Sequence, residues 1–134
     1  MTATVNYESN LRTTCVHLQS GSAIETDAPT DNKGKGERFS PTDLIATGLG
    51  ACMITTMGIK AETMDIALDG AKVEVTKIMV SDPRRIGKII AHVTLPALGL
   101  DDKTKEILER VARTCPVERS LHPDVELDIA FKWL

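Results

Sequence analysis

The stretch that decides the fold is FSPTDLIATGLGACM, residues 39–53. Ser40 supplies a side-chain acceptor suited to a helix N-cap, and Pro41 sets the backbone angle of the first helical position. Asp43 adds a favourable negative charge in the first turn. Apolar residues then surround the helix on nearly all sides, which predicts a long, buried central helix running from Ser40 to about Lys60.

Short strands and one further helix are predicted around this central helix. Strand signals lie in residues 1–26, 71–80, 86–95 and 125–133. The first of these segments has the turn spacing of a β-meander, and the next two form a hairpin. A second helix begins at Asp101, carries an apolar stripe as far as Cys115 and is ended by Pro116, while the segment 27–39 forms an exposed loop. The order predicts an α+β fold in one domain, residues 1–134.

Composition and charge narrow the class of function. The chain has 134 residues and a net charge of -3, with no dense basic run, so nucleic acid is an unsuitable partner. The N-terminus has no signal-peptide pattern and the central apolar segment is interrupted by Gly, Thr and Lys, so we expect a cytoplasmic protein and no membrane partner. Three cysteines without a CxxC pair and three ungrouped histidines predict neither a metal site nor a disulfide framework.

The cysteines allow two interpretations. From its position alone, Cys52 in the middle of the helix is best explained as a small packing residue, and thiolate chemistry there needs a nearby cation, for which Arg12 is the best candidate. Cys115 lies at a helix end before Pro116, where local movement leaves the core intact. Cys15 points to the opposite side of its strand from Arg12, so these two do not belong to one site. Spacing leaves both core packing and a reactive thiol pair open.

The segment 39–53, together with Cys115-Pro116-Val117, resembles the OsmC/Ohr family. That family comprises the osmotically inducible protein C and the organic hydroperoxide resistance protein. The resemblance covers essentially the whole chain and implies an OsmC-like intertwined homodimer. In such a dimer, antiparallel sheets wrap two central helices and two active sites lie at the interface.

The resemblance also implies a chemistry. Cys52 would attack the O–O bond of an organic hydroperoxide, or of hydrogen peroxide, and become a sulfenic acid that Cys115 resolves as a disulfide. A dithiol of the lipoamide type would reduce that disulfide, and no metal, haem or flavin is implied. Arg12 resembles the family's active-site arginine, which holds the thiolate and steadies charge on the departing oxygen.

One position departs from the family pattern. Hydroperoxide-resistance members carry a glutamate ten residues before the reactive cysteine to orient the arginine, and this chain has Thr42 there. Asp43 is adjacent, but nine positions at 100° per residue place it on the opposite side of the helix from Cys52. The sequence therefore does not identify the acid that orients Arg12, and the preferred peroxide stays open.

Two other classes of function compete with a peroxidase. One is a non-catalytic OsmC-like dimer that binds a small apolar ligand or senses redox state. The other is a purely structural role for the cysteines, which predicts that the thiols of Cys52 and Cys115 lie far apart.

Overall fold

The computed structural model describes residues 1–134, in six strands and three α-helices. In chain order the elements are β1 (Ala3–Ser9), β2 (Arg12–His17), β3 (Ala23–Asp27), α1 (Pro41–Thr63), β4 (Lys72–Val80), β5 (Arg85–Leu95), α2 (Asp102–Ala112), α3 (Pro116–Ser120) and β6 (Glu126–Trp133). The mixture of helices and two separate sheets confirms the α+β class. The chain divides into two compact units, residues 1–45 and 46–134, and its organisation as one domain stays a prediction.

The first unit contains the predicted β-meander. Strands β1, β2 and β3 are consecutive antiparallel neighbours in one sheet. The hydroxyl of Thr13 lies 3.8 Å from the Cys15 sulfur, so these two residues share a face of β2. The alternation of side chains along a strand then directs Arg12 to the other face, as the sequence predicts.

The segment that follows β3 is folded back on itself by backbone hydrogen bonds. The N–H of Gly36 donates to the carbonyl of Ala28 at 3.2 Å, and the N–H of Asp27 donates to the carbonyl of Phe39 at 3.1 Å. A Cβ atom on Gly34 would overlap the carbonyl group of Ala28. Glycine is therefore required at position 34 by a close approach of two backbone segments.

We expect Gly34→Ala to destabilise the protein by roughly 1–3 kcal/mol, since the added methyl group has to push the backbone at Ala28 aside. The measurement is the urea midpoint of unfolding. Gly58→Ala is the matched control, because a Cβ at that position in α1 meets nothing within 4 Å and alanine favours a helix. An unchanged midpoint in Gly34→Ala would contradict the close approach.

The central helix begins as predicted and ends slightly later, spanning Pro41–Thr63. Ser40 Oγ accepts a hydrogen bond from the N–H of Asp43 at 3.1 Å, and Asp43 Oδ2 accepts one from the N–H of Ser40 at 2.9 Å. This reciprocal pair is a capping box, which satisfies two backbone donors that the helix itself cannot. It explains why the helix begins at this point.

Within the second unit, one side of α1 forms the centre of the core. Leu49, Met53 and Met57 are completely buried and pack with residues of β5 and α2. Ile59 stays 63% exposed within this single chain. The prediction that the helix is buried on most sides is therefore met on one side only.

By length and mean hydropathy, α1 is the one helix that could cross a membrane. The sequence predicts that Gly, Thr and Lys interrupt the apolar run too strongly for it to span a membrane. By length and mean hydropathy this prediction is wrong. A buried core helix meets the same criterion. Leu49, Met53 and Met57 of α1 are buried within the second unit, and 33% of its apolar window is buried.

The sheet of the second unit has the strand order β4-β5-β6. Strands β4 and β5 form the predicted antiparallel hairpin, whereas β6 runs parallel to β5, with Ala91 opposite Ile129. The expectation of wholly antiparallel sheets is wrong for this pair. The reason is the connection, because a chain that leaves β5 and passes through α2 and α3 returns to the starting end of β5 before it pairs.

Candidate active site

Cys52 lies in the middle of α1 and its side chain is half-buried. Its own carbonyl accepts a hydrogen bond from Thr56 Oγ1 at 2.7 Å, one turn further along the helix. Two positions earlier, a Cβ on Gly50 would approach a methyl group of Val75 to 3.0 Å. The glycine therefore allows β4 to pack closely against α1 beside the cysteine.

Cys115 lies in a different local structure from the one predicted. Helix α2 ends at Ala112, and Cys115 has an extended backbone, with φ -70° and ψ 154°, as the N-cap of the short helix α3. The prediction that Cys115 belongs to the stripe of the second helix is therefore wrong. Pro116 accounts for both features, since it keeps the preceding residue out of the helical region and is well suited to the first position of a new helix.

The two thiols of the second unit lie next to each other. Cys115 is fully buried, and Cys52, whose side chain is partly open to solvent, packs against the buried cluster that contains Cys115 and acts on its thiol. Burial raises the pKa of the Cys115 thiol, the neighbouring Cys52 raises it further, and the backbone N–H of Glu118 acts in the opposite direction. Both cysteines are free thiols. Their contact contradicts the purely structural interpretation, which required them to lie far apart.

Arg12 belongs to a charged cluster within the first unit. Its Nε and Nη2 atoms each donate a hydrogen bond of 2.8 Å to the two carboxylate oxygens of Asp27, which is 1% exposed. The same carboxylate accepts the N–H of Glu37 at 3.2 Å. Such a two-pronged pair fixes the plane of the guanidinium as well as its position.

Asp27 is the acid that sequence reasoning missed, because it was placed at the start of an exposed loop. It is instead the last residue of β3 and lies directly opposite Arg12 in the β2–β3 register. Hydrogen bonding to the Arg12 guanidinium lowers the pKa of this carboxyl and raises that of Arg12, so both groups are charged at neutral pH. The available signal was the pair of opposite charges, Arg12 on β2 and Asp27 on β3. The pair can be recognised only when the register of these two strands is known.

Thr42, at the family's usual acidic position, and the adjacent Asp43 both contribute to the start of α1. Asp43 completes the capping box with Ser40. Thr42 Oγ1 lies 3.3 Å from Ser40 Oγ, so it also contributes to the start of α1.

The remaining cysteine, Cys15, is half-buried beside Thr13 on β2. No group of three or more His, Cys, Asp or Glu side chains is placed to hold a metal ion.

These features define a class: an α+β protein with a half-exposed thiol on its core helix in contact with a second, buried thiol. A family model described as OsmC-like protein matches residues 34–130. The chain belongs to the OsmC-like family.

Known relatives agree with this assignment. The crystal structure of a protein from Psychrobacter arcticus 273-4, named for an osmotic stress and detoxification response, is 50% identical and superposes with a TM-score of 0.93, covering 98% of this chain and 95% of that chain. A hydroperoxide reductase of Mycoplasma genitalium is 24% identical over 126 residues, 91% of this chain and 85% of its own length. The organic hydroperoxide resistance protein of Bacillus subtilis, 19% identical with a TM-score of 0.68 over 98% of both chains, shares the fold.

Proposed function

We propose that this protein is a thiol-dependent peroxidase that reduces organic hydroperoxides, and also hydrogen peroxide, in defence against oxidative stress. The observation that carries the proposal is the contact between a half-exposed thiol, Cys52, and a fully buried one, Cys115. The names of the Mycoplasma and Bacillus relatives support a role with hydroperoxides. The different exposure of the two thiols separates their roles, because an incoming peroxide can reach only the partly open one.

The proposed reaction takes place in two steps at sulfur. The thiolate of Cys52 attacks one oxygen of the peroxide, the O–O bond breaks, and the departing oxygen takes up a proton to leave as an alcohol or as water. The sulfur has then been oxidised by two electrons to a sulfenic acid. The Cys115 thiol condenses with it, forming the S–S bond and releasing water.

Turnover requires a reductant for the disulfide. We propose a dithiol of the lipoamide type, which reduces the Cys52–Cys115 bond by thiol–disulfide exchange and is itself oxidised to a disulfide. A reducing compartment such as the cytoplasm keeps dithiols in the reduced form that this exchange needs.

Arg12 is proposed as the group that favours the thiolate and steadies the departing oxygen, on the basis of the family resemblance. Its pairing with Asp27 supports such a role, since Asp27 holds the Nε and Nη2 donors while Nη1 lies outside this pair. A guanidinium fixed in this way offers donors in a defined direction without reorganisation during the reaction.

We also propose that the protein acts as a homodimer. The support is the apolar surface that a single chain leaves exposed, including Ile59 on α1 and Val5, Tyr7 and Ile24 on the first sheet. Apolar side chains in such numbers are typical of a surface that a second subunit covers.

The decisive experiment treats the reduced protein with one equivalent of cumene hydroperoxide, blocks the remaining thiols and examines peptides by mass spectrometry. We expect a Cys52–Cys115 link in the wild type. Cys115→Ser is expected to consume about one equivalent of peroxide and then stop as a sulfenic or over-oxidised species, because no thiol resolves it. Full turnover in Cys115→Ser would refute the resolving role, and an absence of any oxidised Cys52 would refute the peroxidase itself.

A further inference from the structure

A second, exposed carboxylate lies beside Arg12. Glu37 Oε1 is 3.8 Å from Arg12 Nη2, and the Glu37 side chain is 59% exposed, whereas that of Asp27 is 1% exposed. At this distance Arg12 and Glu37 form an ion pair without a direct hydrogen bond. Asp27 therefore fixes the guanidinium from the buried side, while Glu37 places a negative charge where molecules arrive from solvent.

The backbone at Glu37 is held by hydrogen bonds on both sides of its peptide unit. Its N–H donates to Asp27 Oδ2 at 3.2 Å, and its carbonyl accepts a hydrogen bond from Arg38 Nη1 at 3.0 Å. Just before it, Gly36 has a φ of 64°, a left-handed conformation that favours glycine. These contacts anchor the exposed Glu37 side chain at a fixed point beside Arg12.

The charges around Arg12 do not cancel. Arg12 is balanced by Asp27, and Arg38 is balanced by Glu25, whose Oε1 lies 3.1 Å from Arg38 Nε. Glu37 adds a third carboxylate to these two guanidinium groups and two carboxylates, so the cluster has a net charge of -1. A surplus negative charge repels anions and leaves uncharged molecules unaffected.

We propose that Glu37 determines the substrate class of the site, favouring uncharged hydroperoxides over those that carry a carboxylate; the inference rests on the proposed peroxidase function and on the role of Arg12 in it. A peroxide oxygen that meets Arg12 lies within about one Debye length of the Glu37 carboxylate, roughly 10 Å at 0.1 M salt. A carboxylate on the same small substrate therefore enters the field of Glu37, and repulsion lowers its rate of productive encounter. The chemistry at sulfur is unchanged, so Glu37 acts on specificity alone.

The test compares two probes with the same reacting group, cumene hydroperoxide and its derivative with a carboxylate at the para position of the ring. The measurement is the second-order rate constant for oxidation of the reduced protein by each probe, with no reductant present. The result is expressed as the ratio of the rate constant for the uncharged probe to that for the carboxylate probe. A general effect of a substitution on the fold or on the thiol changes both rate constants and divides out of this ratio.

Glu37→Gln is expected to lower the ratio about three- to tenfold at low salt, because the repulsive charge is removed. The difference from wild type should disappear at high salt, where screening removes the repulsion. Glu37→Asp keeps the charge and should retain most of the wild-type ratio. Glu106→Gln is the matched control, since it removes an equal charge from an exposed position on α2, and its ratio should equal that of wild type.

Two results are decisive against the proposals. A ratio in Glu37→Gln equal to that of wild type at low salt would overturn the role of Glu37 and leave the peroxidase function standing. Failure of both probes to oxidise the wild-type protein would instead overturn the peroxidase function itself.

Discussion

Replacing Cys52 with serine is expected to abolish peroxide consumption, with a loss of roughly a thousandfold or more. The hydroxyl oxygen of serine cannot supply the two electrons that break the O–O bond, and no other thiol in the second unit is open to solvent. The contacts of the side chain are nearly preserved, because serine has the same shape and the site is half-buried. The measurement is peroxide consumption in the presence of a dithiol reductant.

The matched control is Cys15→Ser, since Cys15 is also half-buried but lies beside Thr13 on β2 in the first unit. We expect this variant to retain wild-type activity. Loss of activity in Cys15→Ser together with retention in Cys52→Ser would reverse the assignment. Retention in both would show that neither cysteine carries the reaction. A wild-type protein that consumes no peroxide would favour the non-catalytic alternative, a dimer that binds an apolar ligand or senses redox state.

Features that depend on local chemistry could be predicted from the sequence. The start of α1 follows from Ser40, Pro41 and Asp43, because a capping box involves only residues within one turn. The strand β6 could also be predicted, because apolar and polar residues alternate in its sequence. In the structure, half-buried and exposed residues alternate along the whole strand. For such elements, sequence neighbours are also spatial neighbours.

Features that depend on distant residues could not be predicted in this way. The direction of β6 is determined by the connection through α2 and α3, and no pattern within the strand distinguishes parallel from antiparallel pairing. The end of α2 at Ala112 was missed because the apolar spacing continues to Cys115, although the backbone there is already extended. In each case the outcome depends on the structure of residues outside the element itself.

The candidate site also combines features that depend on local sequence with features that depend on distant residues. Cys52 and Cys115 could be named from the family motif, but their contact depends on how α1 packs against the turn before α3.

The pair formed by Arg12 and Asp27 predicts a dependence of stability on pH. The pKa of Asp27 is lowered from its ordinary value of 3.8 in the folded protein, chiefly by hydrogen bonding to Arg12. The folded state thus binds the proton less tightly than the unfolded chain. The pair therefore stabilises the protein above pH 3.8, and this stabilisation is lost as the pH falls through the lowered pKa.

Asp27→Asn is accordingly expected to lower the melting temperature at pH 7 by several degrees, because a buried carboxylate with three hydrogen bonds is replaced by an amide that accepts fewer of them. The difference from wild type should shrink below pH 3.8. If Arg12 supports the reaction, peroxide consumption by Asp27→Asn should fall about tenfold or more. Arg12→Lys loses the two-pronged geometry, and its peroxide consumption should fall by a similar factor. Glu25→Gln is the control, since its pair with Arg38 is exposed and worth little. A pH-independent difference in melting temperature would show that the Asp27 charge does not stabilise the fold.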